Sequence, residues 1–213
     1  MSKLDFAALL CSRLCHDLVS PVGAISNGLE LLSGEQDGKM REAVLDLIEK
    51  STAQTSNKLQ FFRLAFGAAG GFSTHLDTRE AEKSLKAFLA GSKINLNWHV
   101  AVPELSKGGV KLLLNLCLVA SEALIRGGDL EVGFDTAGPD TLLLKIKASG
   151  NRIILADSVR QALLGQISEE DLEPRSAPAY LAYAVANEMH GKVVIESLDD
   201  NEVCLLSSIK TSA

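Results

Sequence analysis

Between Leu4 and Leu32 the chain reads LDFAALLCSRLCHDLVSPVGAISNGLELL. Its apolar residues fall on a seven-residue repeat, with Leu4, Cys11, Leu18, Ile25 and Leu32 in one row and Ala8, Cys15, Val22 and Leu29 in the next. That is the pattern of a long amphipathic helix with an apolar seam. Ser33-Gly34 closes it, and after a short polar turn a second helical pattern runs from about Glu35 to Phe66. Met40, Val44, Leu47, Ile48, Leu59, Phe62 and Phe66 form its apolar side. The two segments predict an antiparallel hairpin. Helices of about 30 residues are roughly 45 Å long. One hairpin of that length buries a stripe between its helices and leaves an apolar flank wet, which predicts a homodimer whose two hairpins form a four-helix bundle.

The middle of the second helix, from Lys50 to Lys58, is polar and is expected opposite the middle of the first. Gly67-Ala68-Ala69-Gly70-Gly71 breaks the helical pattern, so residues 1–71 are expected to form the hairpin and residues 72–213 a second unit. Charge divides at the same place. The first 71 residues carry 7 bases and 8 acids and the remainder 14 and 19, so nearly all of the net charge of −6 belongs to the second unit. An acidic, phosphorylated partner therefore meets less repulsion at the hairpin.

In the second unit the pattern predicts helix Thr78 to Ala90, strand Lys93 to Val100, helix Gly109 to Arg126, and strands Asp129 to Thr136 and Thr141 to Ala148. A short helix after Ala156, helix Ala179 to His190, and strands Lys192 to Ser197 and Glu202 to Ile209 follow. Mostly antiparallel strands alternating with helices imply a two-layer α/β sandwich.

With 46% hydrophobic and 23% charged residues in 213, the composition is that of a globular chain. Its acidic balance argues against a nucleic-acid partner. The most apolar stretch, Leu112 to Ile125, is too short to cross a bilayer, and the start does not resemble a secretion signal, so no membrane partner and a cytoplasmic location are expected. Cys11, Cys15, Cys117 and Cys204 lie among apolar residues and are expected as reduced, buried thiols.

The heptad phase that makes Leu4, Cys11, Leu18 and Ile25 the seam puts His16 on the opposite, outward ridge, beside Arg13, Ser20, Gly23 and Asn27. Most of those neighbours are small, so another protein can approach the imidazole. An exposed imidazole is largely neutral near neutral pH and can attack a phosphoryl group. Asp17 can assist proton movement or hold the ring tautomer. Pro21 removes one intrahelical hydrogen bond. Cys11 and Cys15 face the seam while His16 faces away, so one metal ion cannot hold all three. His75 in a linker, His99 on a strand and His190 at a helix end are expected as structural residues. Glu169-Glu170-Asp171-Leu172-Glu173 is expected as a solvated loop.

His16-Asp17-Leu18-Val19-Ser20-Pro21-Val22 resembles the H-box of sensor histidine kinases, and the hairpin resembles their dimerisation and histidine-phosphotransfer domain. The second unit resembles their ATP-binding domain with its motifs worn away. Leu112 to Gly128 is similar to the N-box helix, but Val119 stands where the magnesium-binding asparagine belongs. Ala148 or Ser149 stands in place of the adenine-reading aspartate, and Arg152 replaces a glycine. Arg175-Ser176-Ala177-Pro178-Ala179-Tyr180 has no glycine to let backbone amides approach phosphates. Tyr183 to Ser197 still resembles the helix and strand that follow.

Together these motifs resemble the ChpT-type histidine phosphotransferases of alphaproteobacterial phosphorelays over nearly the whole chain. The resemblance implies an N-terminal helical hairpin in a dimeric four-helix bundle followed by a degenerate histidine-kinase-type α/β sandwich. It implies a phosphotransferase with no autokinase activity. His16 would be phosphorylated by the receiver domain of a CckA-type hybrid kinase and would pass the group to response regulators such as CtrA and CpdR. The phosphoacceptor carries over to His16, the assisting acid to Asp17 and the kinking proline to Pro21. Arg13, Ser20, Pro21, Gly23 and Asn27 are the expected partner-binding residues, although Arg13 is equally readable as a solvated base. No cofactor or metal is expected on this chain, since magnesium would sit in the partner receiver. Two other readings stand beside this one: an ATP-dependent kinase with unusual boxes, and a non-catalytic inhibitor or scaffold that mimics a kinase hairpin.

Overall fold

The computed structural model describes residues 2–34, 37–67, 74–138 and 141–210. The hairpin is α1 (Lys3–Gly34) and α2 (Gly38–Ala65). Asp37 caps α2, its carboxylate accepting from the Lys39 amide at 3.1 Å. Its expected beginning at Glu35 and the expected domain boundary at residue 71 both lie outside the described residues.

Helix contact inside the hairpin is close at Gly28. Gly28 is buried, and a Cβ there would come within 2.7 Å of Ile48 Cγ1, so the two helices meet closely at this level. The face of α1 turned into the chain holds Arg13, Pro21 and Gly28. Cys11 of the first heptad row and Cys15, Val22 and Leu29 of the second are exposed instead, while Leu18, Ile25 and Leu32 are half-buried. This corrects the expected phase and the expected burial of two thiols: Cys117 and Cys204 are buried, Cys11 and Cys15 are not. The apolar stripe of α1 is wider than one seam, and only one flank of it is used within the chain.

By length and composition alone α1, and not Leu112 to Ile125, is long and apolar enough to cross a bilayer. Arg13, His16 and Asp17 sit near its middle, where a bilayer is least tolerant of charge.

The second unit runs β1 (His75–Asp77), α3 (Thr78–Leu89), β2 (Ile94–His99), β3 (Glu104–Ser106), α4 (Lys107–Ala123), β4 (Gly128–Gly138), β5 (Thr141–Ser149), α5 (Asp157–Leu163), α6 (Ala177–Glu188), β6 (Val193–Asp199) and β7 (Glu202–Lys210). The main sheet has the order β2-β4-β5-β7-β6, with β2 and β4 parallel and the other pairs antiparallel. β1 and β3 form a separate antiparallel pair of three-residue strands, too short to show an alternation in sequence. His75 therefore begins a strand, not a linker.

Helix α4 is buried on every side from Leu112 to Ser121, with the sheet on one flank and α6 and α2 on others. Ser106 caps its start, accepting from the Gly109 amide at 3.1 Å, which places the helix two residues earlier than its pattern suggests. At its other end Gly127 and Gly128 have positive φ of 84° and 146°, and a Cβ at either would lie within 2.3 Å of a backbone oxygen, so no other residue fits that turn.

The hairpin is joined to this unit by aromatic packing. Phe61 stacks on Phe88 at 4.2 Å, and Phe6 meets Tyr180 edge-on at 5.4 Å. Full burial of Phe61 and Phe62 contributes about 2–3 kcal/mol each. The Asn115 amide donates to the Ala65 carbonyl at 2.8 Å, satisfying the last turn of α2 from inside α4. The base of the hairpin is thus held rigidly on the sandwich.

Candidate functional site

His16 stands on the outward side of α1 with 85% of its side chain exposed. Its Nδ1 lies 3.1 Å from Asp17 Oδ1. A carboxylate offers only acceptor oxygens, so this contact places the ring proton on Nδ1 and leaves the lone pair of Nε2 free. Asp17 itself is only 12% exposed, and its other oxygen, Oδ2, accepts from Arg13 Nε and Nη2, both at 3.2 Å.

Arg13 is 9% exposed at the side chain and is shared. Its Nη2 donates to Glu122 Oε1, and its Nη1 lies 3.5 Å from Glu122 Oε2. Glu122 is on the last turn of α4, so a line of alternating charges runs from His16 through Asp17 and Arg13 into the second unit. Burial pushes the Arg13 guanidinium down, but Glu122 and Asp17 outweigh it and hold its pKa above the ordinary value. Burial pushes the Glu122 carboxyl up, and Arg13 pulls it back only in part.

The α2 side of the site is Lys58, whose Nζ donates to the Asp17 carbonyl oxygen at 2.9 Å. Residue 21 would normally supply the helical hydrogen bond to that oxygen, and Pro21 has no N–H. Lys58 replaces the missing donor, and α1 continues as one helix through the proline. The polar middle of α2 thus meets the middle of α1 as its composition predicts.

Of the residues singled out in sequence, Ser20 and Asn27 are exposed on the His16 ridge and Gly23 is partly so, with open space where a Cβ would go. Arg13 is neither solvated nor available to a partner, because both its neighbours along the charge line are carboxylates of this chain. Pro21 is buried, so it acts on the shape and hydrogen bonding of the helix instead of offering contact surface. His99 faces solvent from β2, and His190 ends α6 with a left-handed φ of 57°. Leu172 is buried under the otherwise exposed acidic loop.

Two members of the site were not singled out. Glu122 is the one carboxylate in the apolar run from Leu112 to Ile125, and a lone acid on a core helix is a signal for a buried partner. Lys58 carries no such mark, since the polar stretch around it has no period.

Among the positions of the degenerate nucleotide boxes, Val119, Ala148 and Ser176 to Ala179 are buried, whereas Arg152 and Arg175 are exposed. Val119 is 3% exposed, and it joins Ala148, Val159, Leu163, Ala179 and Ala182 in the main apolar cluster. Helix α6 lies directly along α4.

A family model for the histidine phosphotransferase C-terminal domain matches residues 78–201. The protein phosphotransferase ChpT of Brucella abortus (strain 2308) is 36% identical over 203 residues, covering 95% of each chain. A solved structure of a bacterial phosphotransferase superposes with a TM-score of 0.85 at 35% identity and covers 97% of both chains.

Proposed function

This chain belongs to the ChpT-type histidine phosphotransferases, and on that premise we propose that His16 is the phosphoacceptor through which it relays phosphoryl groups between receiver domains. The observation that carries the proposal is the contact between His16 Nδ1 and Asp17 Oδ1 on an otherwise exposed imidazole. The Nε2 lone pair attacks the phosphorus of a receiver's aspartyl phosphate. The P–O bond breaks and its electron pair leaves with the receiver's carboxylate. The ring keeps its Nδ1 proton and becomes an imidazolium, whose charge Asp17 stabilises at 3.1 Å. In the second half-reaction another receiver's carboxylate attacks the same phosphorus, and the N–P electron pair returns to Nε2. No proton has to leave the ring in either direction, which suits a reversible relay.

A receiver docks on the ridge of Ser20, Gly23 and Asn27, with the exposed Val19 beside it. The donor is the receiver of a CckA-type hybrid kinase and the acceptors are regulators such as CtrA and CpdR, which places the relay in the cytoplasm. The exposed apolar face of Cys11, Cys15, Val22 and Leu29 supports a homodimer through a four-helix bundle, leaving His16 on the outside.

The test is to mix the chain with a phosphorylated receiver and follow acid-labile label. Wild type is expected to take it up and His16→Ala to take up none, with its fold unchanged. Label retained by His16→Ala would place the phosphoacceptor elsewhere. Incubation with labelled ATP and magnesium is expected to leave wild type unlabelled, and robust labelling would restore the kinase reading.

A further inference from the structure

The line of charges that ends on His16 begins in the second unit, and we propose that Glu122 is a positioning residue for phosphotransfer, acting through Arg13 and Asp17 on the tautomer of His16. The inference rests on His16 being the phosphoacceptor.

Arg13 has a planar fork able to grip both oxygens of one carboxylate. If it gripped Asp17 in that way, Oδ1 would be drawn from the imidazole. Glu122 prevents this. It accepts from Nη1 and Nη2, leaving Nε and a share of Nη2 for Asp17 Oδ2 alone. Oδ1 remains 3.1 Å from His16 Nδ1. The guanidinium is 9% exposed, so water cannot substitute for the missing carboxylate, and Glu122, 32% exposed, lies on α4, a helix held by the core on every side. Arg175 adds a second positive charge near Glu122.

The arrangement gives the second unit a part in the chemistry that needs no nucleotide. A rigid anchor in the sandwich sets the orientation of a carboxylate in the hairpin, and that carboxylate selects which imidazole nitrogen is the nucleophile. Before transfer it keeps the proton on Nδ1, and afterwards it faces the imidazolium.

The experiment uses full-length wild type, Glu122→Gln, Glu122→Asp, Asp17→Asn and the double variant Asp17→Asn with Glu122→Gln. Potassium phosphoramidate is the phosphoryl donor. Here Nε2 attacks phosphorus and ammonia leaves, so no receiver is required. Nitrogen-15 NMR of the His16 ring reports the tautomer independently of transfer. In wild type the Nδ1-protonated form is expected to dominate. Glu122→Gln is expected to shift both ring nitrogens toward the average of the two tautomers and to lower the maximal rate about tenfold, the low end of the cost of removing the hydrogen-bonding partner of a metal-bound histidine. The half-saturating donor concentration should not change. In the Asp17→Asn background the same substitution should add nothing further. Glu122→Asp, which keeps the charge and the fold, is expected to recover at least half of the wild-type rate.

Unchanged ring signals in Glu122→Gln, a rate loss that persists in the Asp17→Asn background, or a Glu122→Asp variant as slow as Glu122→Gln would each overturn the proposal. Absence of label on His16 in wild type would instead overturn the phosphoacceptor assignment.

Discussion

Lys58 Nζ donates to the Asp17 carbonyl oxygen at 2.9 Å, and that oxygen is the one that Pro21 leaves without a helical donor. The proline and the lysine are therefore one device: α1 gives up a backbone bond beside the phosphoacceptor, and α2 supplies a charged substitute. The substitute ties the two helices together at the level of His16.

The two residues should be energetically coupled. Lys58→Met leaves a carbonyl unpaired and is expected to cost about 2 kcal/mol, the range for a hydrogen bond with a charged donor. In a Pro21→Ala background the alanine N–H can reach the same oxygen, so the cost of Lys58→Met should fall by at least half. Urea denaturation of the four proteins closes the cycle. Equal costs in both backgrounds would show that the lysine is not replacing the proline's missing donor.

Arg13 stabilises the fold by keeping two carboxylates apart and paired. Arg13→Met keeps much of the packing volume but leaves Asp17 and Glu122 partly buried without the guanidinium that they share. The expected loss is about 3 kcal/mol, toward the lower end for breaking a buried pair because Glu122 keeps some contact with water. Thermal unfolding followed by circular dichroism measures it. A change within about 0.5 kcal/mol, typical of surface positions, would mean that the guanidinium is solvated in solution.

Much of this arrangement was legible in sequence, and the parts that were not have specific causes. The seven-residue repeat reveals a helix with an apolar face, and it correctly leaves His16 outside. It does not say which flank of a broad stripe meets the chain's own second helix. That choice falls to Gly28 and Pro21, where closeness and shape matter more than hydrophobicity, so Cys11 and Cys15 end up exposed. The spacing of Arg13 and Asp17 is that of a helical ion pair, but Glu122 is 109 residues away from Arg13 and is brought to it only by the fold. The strands of three residues at His75 and Glu104 carry too little pattern to be seen.

Glu122 should leave a signature in the dependence of stability on pH. Burial, the largest influence, raises its carboxyl above the ordinary glutamate range, and Arg13 reduces the shift without cancelling it. Arg13 stays charged throughout, so its own upward shift does not enter. Between the ordinary and the raised value the folded chain holds a proton that the unfolded chain has lost. The contribution of Glu122 is thus complete below the ordinary range and disappears as pH rises through the folded value, with a slope of at most about 1.4 kcal/mol per pH unit. Glu122→Gln cannot titrate and should lack this component. Urea midpoints for both proteins, followed from the ordinary glutamate range upward, test it: a difference between them that is constant with pH would contradict the shift.

Gly28 offers a test of the hairpin itself. Alanine is favoured over glycine in a helix interior by about 1 kcal/mol, so on propensity alone Gly28→Ala should stabilise α1. Its Cβ, however, would lie 2.7 Å from Ile48 Cγ1 and 3.1 Å from Cδ1, and Ile48 has to shift or the helices to separate. Overpacking of this kind costs about 1–3 kcal/mol, so the net effect is expected to be destabilising by about 1 kcal/mol. Ile48→Ala removes the obstructing atoms. In that background Gly28→Ala should reverse sign and stabilise, because the propensity gain then acts unopposed. Denaturation midpoints of the two single variants and the double variant decide the matter. If Gly28→Ala stabilises the wild-type chain, the two helices do not approach as closely in solution as their contact at Ile48 requires.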